Sequence, residues 1–344
     1  MMNDLERLLN TDDANTMLHA AAEKGDTPLV RYLLEEKNMN PNAVNANNDS
    51  ALHIAAAKND DALIEVLIKG GANVNTMNRD GNCPIHIAAI HGNDRTLAKL
   101  LDHNSEVNAR NFHLDTPLIL AAKGGHSLAI DVLIKKSIDV NASNKDEDTA
   151  LHISAARGSV PFMNKLYSTG RLELNPRNKD NATPLQVAAE NNHFDVVKRL
   201  VELGADLNTK RNDGWSPLYT AAYNGDTKTS VLLLSKGADI DGVNEEGWTP
   251  LHAACAQGHT KLVKTLVEDF NASINVLNEQ GTSPLFHAVS AGRRAITEYL
   301  VDKGADVDLS KDGAWKPIHA ATFNEFEKLT TFLAEKGAGK TRKF

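Results

Sequence analysis

Thirteen histidines are the residues of this chain best suited to chemistry, because imidazole binds zinc and exchanges protons near neutral pH. A zinc site needs several ligands at short, fixed spacings, such as Cys-x-x-Cys or two histidines one helical turn apart. Neither pattern occurs, and the histidines are spread along the whole sequence. We therefore predict no metal site and a structural role for the histidines.

The segment from Gly337 to Thr341 reads Gly-Ala-Gly-Lys-Thr and imitates part of a phosphate-binding loop. The complete motif needs an earlier glycine where Ala334 stands, a strand before it and a helix after it. Here a helical pattern precedes the segment, and only three residues follow it. Gly-x-Ser-x-Gly and His-Glu-x-x-His are also missing from the sequence. These observations predict a protein that is not an enzyme and binds no cofactor.

A Thr/Ser-Pro-Leu-His pattern returns at a nearly constant interval along the chain, and it determines the elements that position every other residue. A fixed period of this size, about 33 residues, is typical of a stacked array of small units. We number the copies repeats 1 to 10 in chain order. The leucine or isoleucine of the pattern falls at Leu18, Leu52, Ile85, Leu118, Leu151, Leu185, Leu218, Leu251, Leu285 and Ile318.

Repeat 8 shows the local signals most clearly. Gly247 supplies the positive φ of a tight turn, and Thr249 is a good N-cap for a first helix over 251–257. Gly258 is typical of the residue that ends such a helix, and apolar spacing then predicts a second helix over 259–267. Helices of two turns are too short to be stable alone. Each pair must therefore cover the apolar face of the next pair.

The sequence resembles the ankyrin repeat family, whose signature Thr-Pro-Leu-His-x-Ala is matched by residues Thr249 to Ala254. The resemblance covers roughly residues 12–336 and implies an all-α solenoid that is elongated and curved. Its units would be antiparallel helix pairs with projecting β-hairpin loops. It also implies that the histidine of the signature hydrogen-bonds backbone between repeats. That position is held here by His19, His53, His86, His152, His252 and His319.

The domain prediction has three parts. Residues 1–11 are expected to be the remnant of a capping helix, residues 12–336 one solenoid of about ten repeats, and residues 337–344 a basic tail. Three of the intervals are one residue longer than the others, and the extra residue falls in the connections near 38–42, 171–176 and 269–274. We expect local loop variation at these connections and no domain break.

Four repeats lack the glycine at the tip of the predicted hairpin. The residues found there instead are Asn48, Leu114, Glu147 and Asn181. Because glycine is the residue that adopts positive φ most easily, we expect less regular tips in repeats 2, 4, 5 and 6.

Aromatic residues are rare and unevenly placed. Of seventeen, twelve lie beyond Lys210, and all three tryptophans stand just before a first helix. Tyr219 and Tyr223 are four residues apart and share one face of a first helix, and Phe323 holds the position of Tyr223 three repeats later. Since Trp and Tyr dominate binding hot spots, we predict an aromatic contact stripe. Its members are Trp215, Tyr219, Tyr223, Trp248, Trp315 and Phe323.

The family resemblance implies that partners contact the hairpin tips and the exposed side of the first helices. In repeat 8 these positions are Glu245, Glu246, Trp248, Ala256 and Gln257. The competing interpretation is structural, because a tryptophan before the helix also packs on the neighbouring hairpin, and the signature position of Tyr219 and Phe286 is expected to be half buried. Both interpretations stay open for the tryptophans.

The sequence raises three candidate functions. The first is a non-catalytic interaction module or scaffold that binds a partner protein on this concave surface, which the family resemblance favours. The second is a regulatory inhibitor that masks an enzyme's active site or a localisation signal, including a bacterial effector directed at a host. The third, an enzyme, would need a titratable cluster that interrupts the period, and the sequence has none.

Charge and cysteine use constrain the setting. The net charge of −8 disfavours binding to nucleic acid, and no apolar run approaches the roughly 18 residues that cross a bilayer. The first ten residues do not resemble a secretory signal. Cys83 and Cys255 lie too many repeats apart to form a disulfide. We expect a monomer in the cytoplasm, with the nucleus or the interior of a host cell as alternatives.

Overall fold

The computed structural model describes residues 14–311 and 313–339, which are helical and contain no β-strand. Twenty helices in this part of the chain form ten pairs, one pair for each repeat. The remnant capping helix predicted for residues 1–11, and most of the basic tail, lie outside the described residues. The predicted all-helical class of stacked pairs is confirmed.

The chain divides into two compact units, residues 1–173 and residues 174–344. In the first unit the helices are α1 Ala14–Lys24, α2 Thr27–Glu35, α3 Ala51–Lys58, α4 Asp61–Lys69, α5 Pro84–His91, α6 Asp94–Asp102, α7 Pro117–Gly124, α8 Ser127–Ile134, α9 Ala150–Ala156 and α10 Val160–Ser168. In the second unit they are α11 Pro184–Glu190, α12 Phe194–Leu203, α13 Pro217–Asn224, α14 Thr227–Ser235, α15 Pro250–Gln257, α16 Thr260–Glu268, α17 Pro284–Ser290, α18 Arg294–Asp302, α19 Pro317–Phe323 and α20 Glu327–Glu335.

Repeat 8 forms the helices that its local signals predict. The Thr249 hydroxyl accepts a hydrogen bond from the His252 amide, and Pro250 occupies the first position of α15, where its missing N–H is not needed. Gly258 ends the helix at φ 88°, in the left-handed region. The tip is a hairpin turn closed by the Asn244 N–H, which donates to the Trp248 carbonyl.

Within each unit, first helices pack on neighbouring first helices, and each second helix packs on the first helix of its own repeat and on neighbouring second helices. Thus α15 lies against α13 and α17, and α16 lies against α14 and α18. The side chains at these contacts are fully buried leucines and alanines, such as Leu251 and Ala254 of α15. Burying one leucine stabilises the fold by roughly 1.5–3 kcal/mol. Each unit is therefore a solenoid in which one pair supplies the apolar cover of the next.

Hairpin tips of consecutive repeats are joined by backbone hydrogen bonds, which we call the tip ladder. In each of the seven joints given below, the N–H of the later repeat donates to a carbonyl of the earlier repeat. The first unit contains Arg79 to Asn47, Phe112 to Asp80 and Lys145 to His113, at 3.0, 3.1 and 2.8 Å. The second unit contains Asn212 to Asp180, Glu245 to Asp213, Glu279 to Glu246 and Lys311 to Gly281, at 3.0, 3.4, 3.0 and 3.0 Å.

The prediction of less regular tips in repeats 2, 4, 5 and 6 is wrong. Asn48, Leu114, Glu147 and Asn181 adopt φ between 58° and 63°, so they keep the left-handed conformation that glycine has elsewhere. The reason is an asparagine at the start of each turn. Its side-chain oxygen accepts hydrogen bonds from the amides two and four residues later, as Asn111 does from His113 and Asp115, both at 2.9 Å.

Leu114 consequently sits at φ 58°, a conformation that disfavours any residue with a Cβ atom by roughly 1–2 kcal/mol. We expect Leu114→Gly to raise the free energy of unfolding by about 0.5–1 kcal/mol, since added freedom of the unfolded chain offsets part of the gain. Urea denaturation measures the change. Leu114→Ala is the matched control, because it shortens the side chain and keeps the Cβ atom. Equal effects of the two substitutions would contradict the explanation by backbone strain.

Two of the connections with an extra residue show the expected loop variation. The Ala272 amide donates to Leu266, six residues earlier, and Met39 likewise donates to Leu33. In connections of normal length the separation is five residues, as from Ala238 to Leu233. The third connection, 171–176, contains the boundary between the two compact units. That residues 12–336 act as one domain stays a prediction.

Candidate interaction surface

The aromatic residues of repeat 7 form one cluster, with Trp215 just before α13 and Tyr219 and Tyr223 on it. The Trp215 ring lies 4.8 Å from the Tyr219 ring and 5.0 Å from the Tyr223 ring, measured between centroids. Tyr219 is only 4% exposed, more buried than its half-buried expectation, whereas Tyr223 is 40% exposed. Burial, and after it the negative charge of Glu246, raises the pKa of the Tyr219 phenol. Tyr219 thus supports the cluster, and Trp215 and Tyr223 provide its accessible surface.

The next repeat fixes the end of α13 beside this cluster. The His259 ring lies with Nε2 2.9 Å from the carbonyl oxygen of Tyr223. Similar contacts place His126 Nε2 2.8 Å from Ile90 O and Arg157 Nη1 2.7 Å from Lys123 O in the first unit. The residue after a first helix therefore links back to the preceding first helix. This bond holds the backbone that carries Tyr223.

Trp248 combines a structural and an exposed role. Its ring stacks on His287 at 4.0 Å and lies 6.0 Å from His252. This packing on repeat 9 agrees with the structural interpretation of the tryptophans. Trp248 is nevertheless only half buried, and it also lines the groove described next. Both interpretations apply to the same side chain.

Seven of the nine predicted contact residues meet in one groove between repeats 7 and 8. Its volume is about 290 Å³. We call it the aromatic groove; its lining comprises Trp215, Tyr219, Tyr223, Glu245, Glu246, Trp248 and Gln257, together with Asp213, Asn244 and Ala256. The two other predicted residues, Trp315 and Phe323, form a separate pair in repeat 10, 5.2 Å apart. Phe323 is 72% exposed and Trp315 is 48% exposed. The predicted stripe is thus two clusters.

The aromatic groove contains carboxylates with different surroundings. Asp213 accepts a hydrogen bond from the Trp215 amide at 3.0 Å and lies 3.8 Å from the Arg211 guanidinium. Arg211 also pairs with Glu190 at 3.1 Å. Glu245 and Glu246 are exposed, and neither forms an ion pair among residues 14–311 and 313–339. The groove therefore combines aromatic rings with two unneutralised negative charges.

The signature histidines connect neighbouring repeats, as the resemblance implied for this position. His252 Nδ1 accepts from the Thr249 amide at 3.1 Å, so Nε2 carries the proton and points at the Thr282 carbonyl, 3.3 Å away. His53 and His86 make the same pair of contacts, and His19 Nε2 lies 2.9 Å from Asp49 O. Burial lowers the pKa of His53, His86 and His252, for His252 to about 4.

Gln186 replaces the histidine in repeat 6 and performs the same function without a titratable ring. Its Oε1 accepts from the Thr183 amide at 2.8 Å, and its Nε2 donates to the Trp215 carbonyl at 2.8 Å. In the described residues no group of three or more His, Cys, Asp or Glu side chains is arranged to hold a metal ion. The histidines that link repeats have structural partners.

Sequence reasoning missed a column of asparagines and aspartates at the exits of the second helices. Each side-chain oxygen accepts a hydrogen bond from a backbone N–H of the next repeat, at 2.7–3.1 Å. The members are Asn42, Asn75, Asn108 and Asn141 in the first unit and Asn175, Asn208, Asp241, Asn275 and Asp308 in the second. Their recurrence at the same position of successive repeats was the available signal.

The first unit also carries exposed apolar side chains at its tips, which the sequence did not lead us to expect. Met77, Phe112 and Leu114 lie at the tips of repeats 3 and 4, and each is exposed, Phe112 by 63%. Phe112 also packs beside Gly81, whose position leaves no room for a Cβ atom. The signal in the sequence was an apolar residue at a turn position that is polar in most other repeats.

The comparison with family models matches this architecture. The model for ankyrin repeats in three copies matches residues 2–78, 52–144, 129–211, 203–278 and 270–343. The chain belongs to the ankyrin repeat family. Proteins built from these repeats generally act as modules for protein–protein interaction.

Two known proteins illustrate the relationship. Alpha-latrocrustotoxin-Lt1a of Latrodectus tredecimguttatus is 41% identical over 54 residues, which is 16% of this chain and 4% of the toxin. The chain therefore matches only a small part of that relative. The crystal structure of the human ASB11 ankyrin repeat domain aligns with a TM-score of 0.57 and 26% identity. This alignment covers 64% of this chain and 97% of the ASB11 domain.

None of the helices in residues 14–311 and 313–339 combines the length and apolar character that crossing a membrane requires.

Proposed function

We propose that this protein is a non-catalytic module that binds a partner protein on its hairpin tips and first helices, with the aromatic groove as the main contact. The observation that carries the proposal is the position of Trp215 and Tyr223. Their rings form an accessible aromatic surface. The carboxylates of Glu245 and Glu246 lie beside it, and neither forms an ion pair in the described part of the chain. Aromatic anchors surrounded by polar groups are typical of binding hot spots.

The proposed cellular location is the cytoplasm, as expected from the sequence. Cys83 and Cys255 are buried free thiols, and burial raises the pKa of Cys83 to about 11. Thiols of this kind are compatible with a reducing compartment such as the cytoplasm. The protein is proposed to be a monomer. It is also proposed not to bind nucleic acid, because the contact surface is acidic and repels phosphate.

Photocrosslinking tests the proposed surface. With benzoylphenylalanine in place of Tyr223, the full chain is expected to capture a protein partner from its native cell extract. Tyr167 is the matched control position, since it is a tyrosine of similar exposure, 44%, on a second helix of the first unit. The partner identified in this way is then produced separately and its affinity is measured.

Tyr223→Ala is expected to weaken binding of that partner by about 2 kcal/mol, roughly thirtyfold, because an aromatic anchor is lost. Tyr167→Ala should leave the affinity unchanged. Thermal unfolding of both variants shows whether they are folded. Equal crosslinking from both positions, or equal affinity of both folded variants, would reject the aromatic groove as the contact site.

A further inference from the structure

Resting on the proposed function, we propose that the aromatic groove receives an arginine side chain of the partner protein. A cation is attracted to the face of an aromatic ring and to free carboxylates, and the groove offers both within one repeat junction. The chain's own cation at this place, Arg211, is already engaged by Glu190 and Asp213. The negative charges of Glu245 and Glu246 are therefore left for a cation of the partner to complement.

The ring geometry selects the shape of the cation. Trp215 and Tyr223 are in contact, with centroids 5.0 Å apart and planes inclined by 47°. No space remains between the two rings for an ammonium group enclosed on both sides. A flat guanidinium can instead stack on the outer face of either ring, which is the usual geometry of arginine on tryptophan or tyrosine.

The carboxylates favour the same group. Glu245 and Glu246 are adjacent at the tip of repeat 8, and both carboxylates are exposed and unpaired in the part of the chain that the structure describes. The tip ladder fixes their backbone, because the Glu245 amide and the Glu246 carbonyl both take part in it. Guanidinium donates two parallel hydrogen bonds to one carboxylate, whereas the ammonium of lysine is a point charge.

The volume of the groove is at the small end for a binding site. Its volume of about 290 Å³ lies just below the range of roughly 300–1,000 Å³ that is usual for sites of drug-sized ligands. The groove is also open to solvent at Tyr223 and Gln257, both exposed. A side chain that projects from a protein surface can therefore enter, and the partner's backbone can stay outside.

Indole N–H resonances of the full-length protein provide the test. The only tryptophans are Trp215, Trp248 and Trp315, so two report on the groove and Trp315 is an internal reference. The probes are N-acetyl-arginine amide, N-acetyl-lysine amide and N-acetyl-citrulline amide at low salt. Citrulline has nearly the shape of arginine and no charge.

We expect arginine amide to shift the Trp215 and Trp248 resonances with a millimolar dissociation constant and to leave Trp315 in place. Lysine amide should bind several-fold more weakly and citrulline amide about tenfold more weakly, as expected when charge and planar geometry both contribute. Equal shifts from arginine and citrulline, or a larger response to lysine, would overturn the inference.

Charge removal gives an independent outcome. The double variant Glu245→Gln, Glu246→Gln should lose most of the arginine response, and Glu279→Gln, at the next tip along, should keep it. If arginine amide does not bind, while Tyr223→Ala still weakens the crosslinked partner, the arginine inference fails and the proposed function stands. If neither the probe nor the partner responds, both are rejected.

Discussion

Replacing Gly214 with alanine is expected to lower the free energy of unfolding by about 3 kcal/mol, because the added methyl group would meet backbone atoms of the next tip. Gly214 has φ 77°, and a Cβ atom there would lie 2.4 Å from the Glu245 nitrogen and 2.9 Å from the Asn244 carbonyl carbon. Both neighbours are backbone atoms of the next tip. They cannot move aside without breaking the tip ladder between Asp213 and Glu245.

Gly204→Ala is the matched control. Gly204 has φ 93° and belongs to the same unit, yet a Cβ atom there would meet nothing within 4 Å. The Gly204→Ala substitution should lower the free energy of unfolding by about 1 kcal/mol, which is the cost of placing alanine in a left-handed backbone conformation. Urea denaturation gives the difference, and amide exchange at Glu245 shows whether the loss is local to the tips. Equal destabilisation by both substitutions would mean that the contact between tips contributes nothing.

Acidification from pH 7 to pH 5 is expected to destabilise repeats 8 and 9 by about 2 kcal/mol for each of His252 and His287. Burial lowers the pKa of both to about 4, and for His287 the neighbouring His252 adds to the effect. An unfolded histidine has a pKa near 6.5. Between these values the unfolded chain binds more protons than the folded chain, so stability falls as the pH drops from about 6.5 to about 4.

The geometry gives this pH effect a direct cause. A second proton on His252 would occupy Nδ1, which already accepts the Thr249 amide hydrogen at 3.1 Å. His287 lies under Trp248, 2.9 Å from the Thr282 hydroxyl, with its ring 5.8 Å from that of His252. A charge on either ring would therefore be poorly solvated and would repel the other.

His252→Gln separates this explanation from general acid effects. Gln186 shows that glutamine makes the same two contacts in this fold. The variant should fold at pH 7 and lose roughly half of the destabilisation between pH 7 and pH 5, measured by urea denaturation at each pH. His113→Gln, at an exposed tip, should change nothing. An unaltered pH profile in His252→Gln would exclude the buried histidine as the origin.

The helices and their boundaries were predictable because their signals are local. Thr249, Pro250 and Gly258 act on backbone within one turn of themselves, so the sequence alone places them at a helix start or end. The same holds for Tyr219 and Tyr223, which share a helix face by their spacing of four. Local chemistry repeated at a fixed period needs no tertiary information.

The features that were missed depend on the neighbouring repeat. Tyr219 is buried because Trp215 covers it, and Trp248 lies on His287 because repeat 9 brings that histidine beneath it. Leu114 keeps a left-handed turn because Asn111 supplies the hydrogen bonds. The exit asparagines bind amides of the following repeat. Pattern reading within one repeat cannot show which partner a side chain meets in the next.

Within each unit the tip ladder gives the row of hairpins a polarity, since each donor belongs to the later repeat and each acceptor to the earlier one. This polarity decides which insertions and deletions the chain can accept. Duplicating or deleting a segment of one full period recreates the same donor and acceptor at the new joint, so modules can be gained or lost without new chemistry. An insertion of a few residues between tips has no such compensation, and selection should confine variation in length to whole modules and to the helix exits.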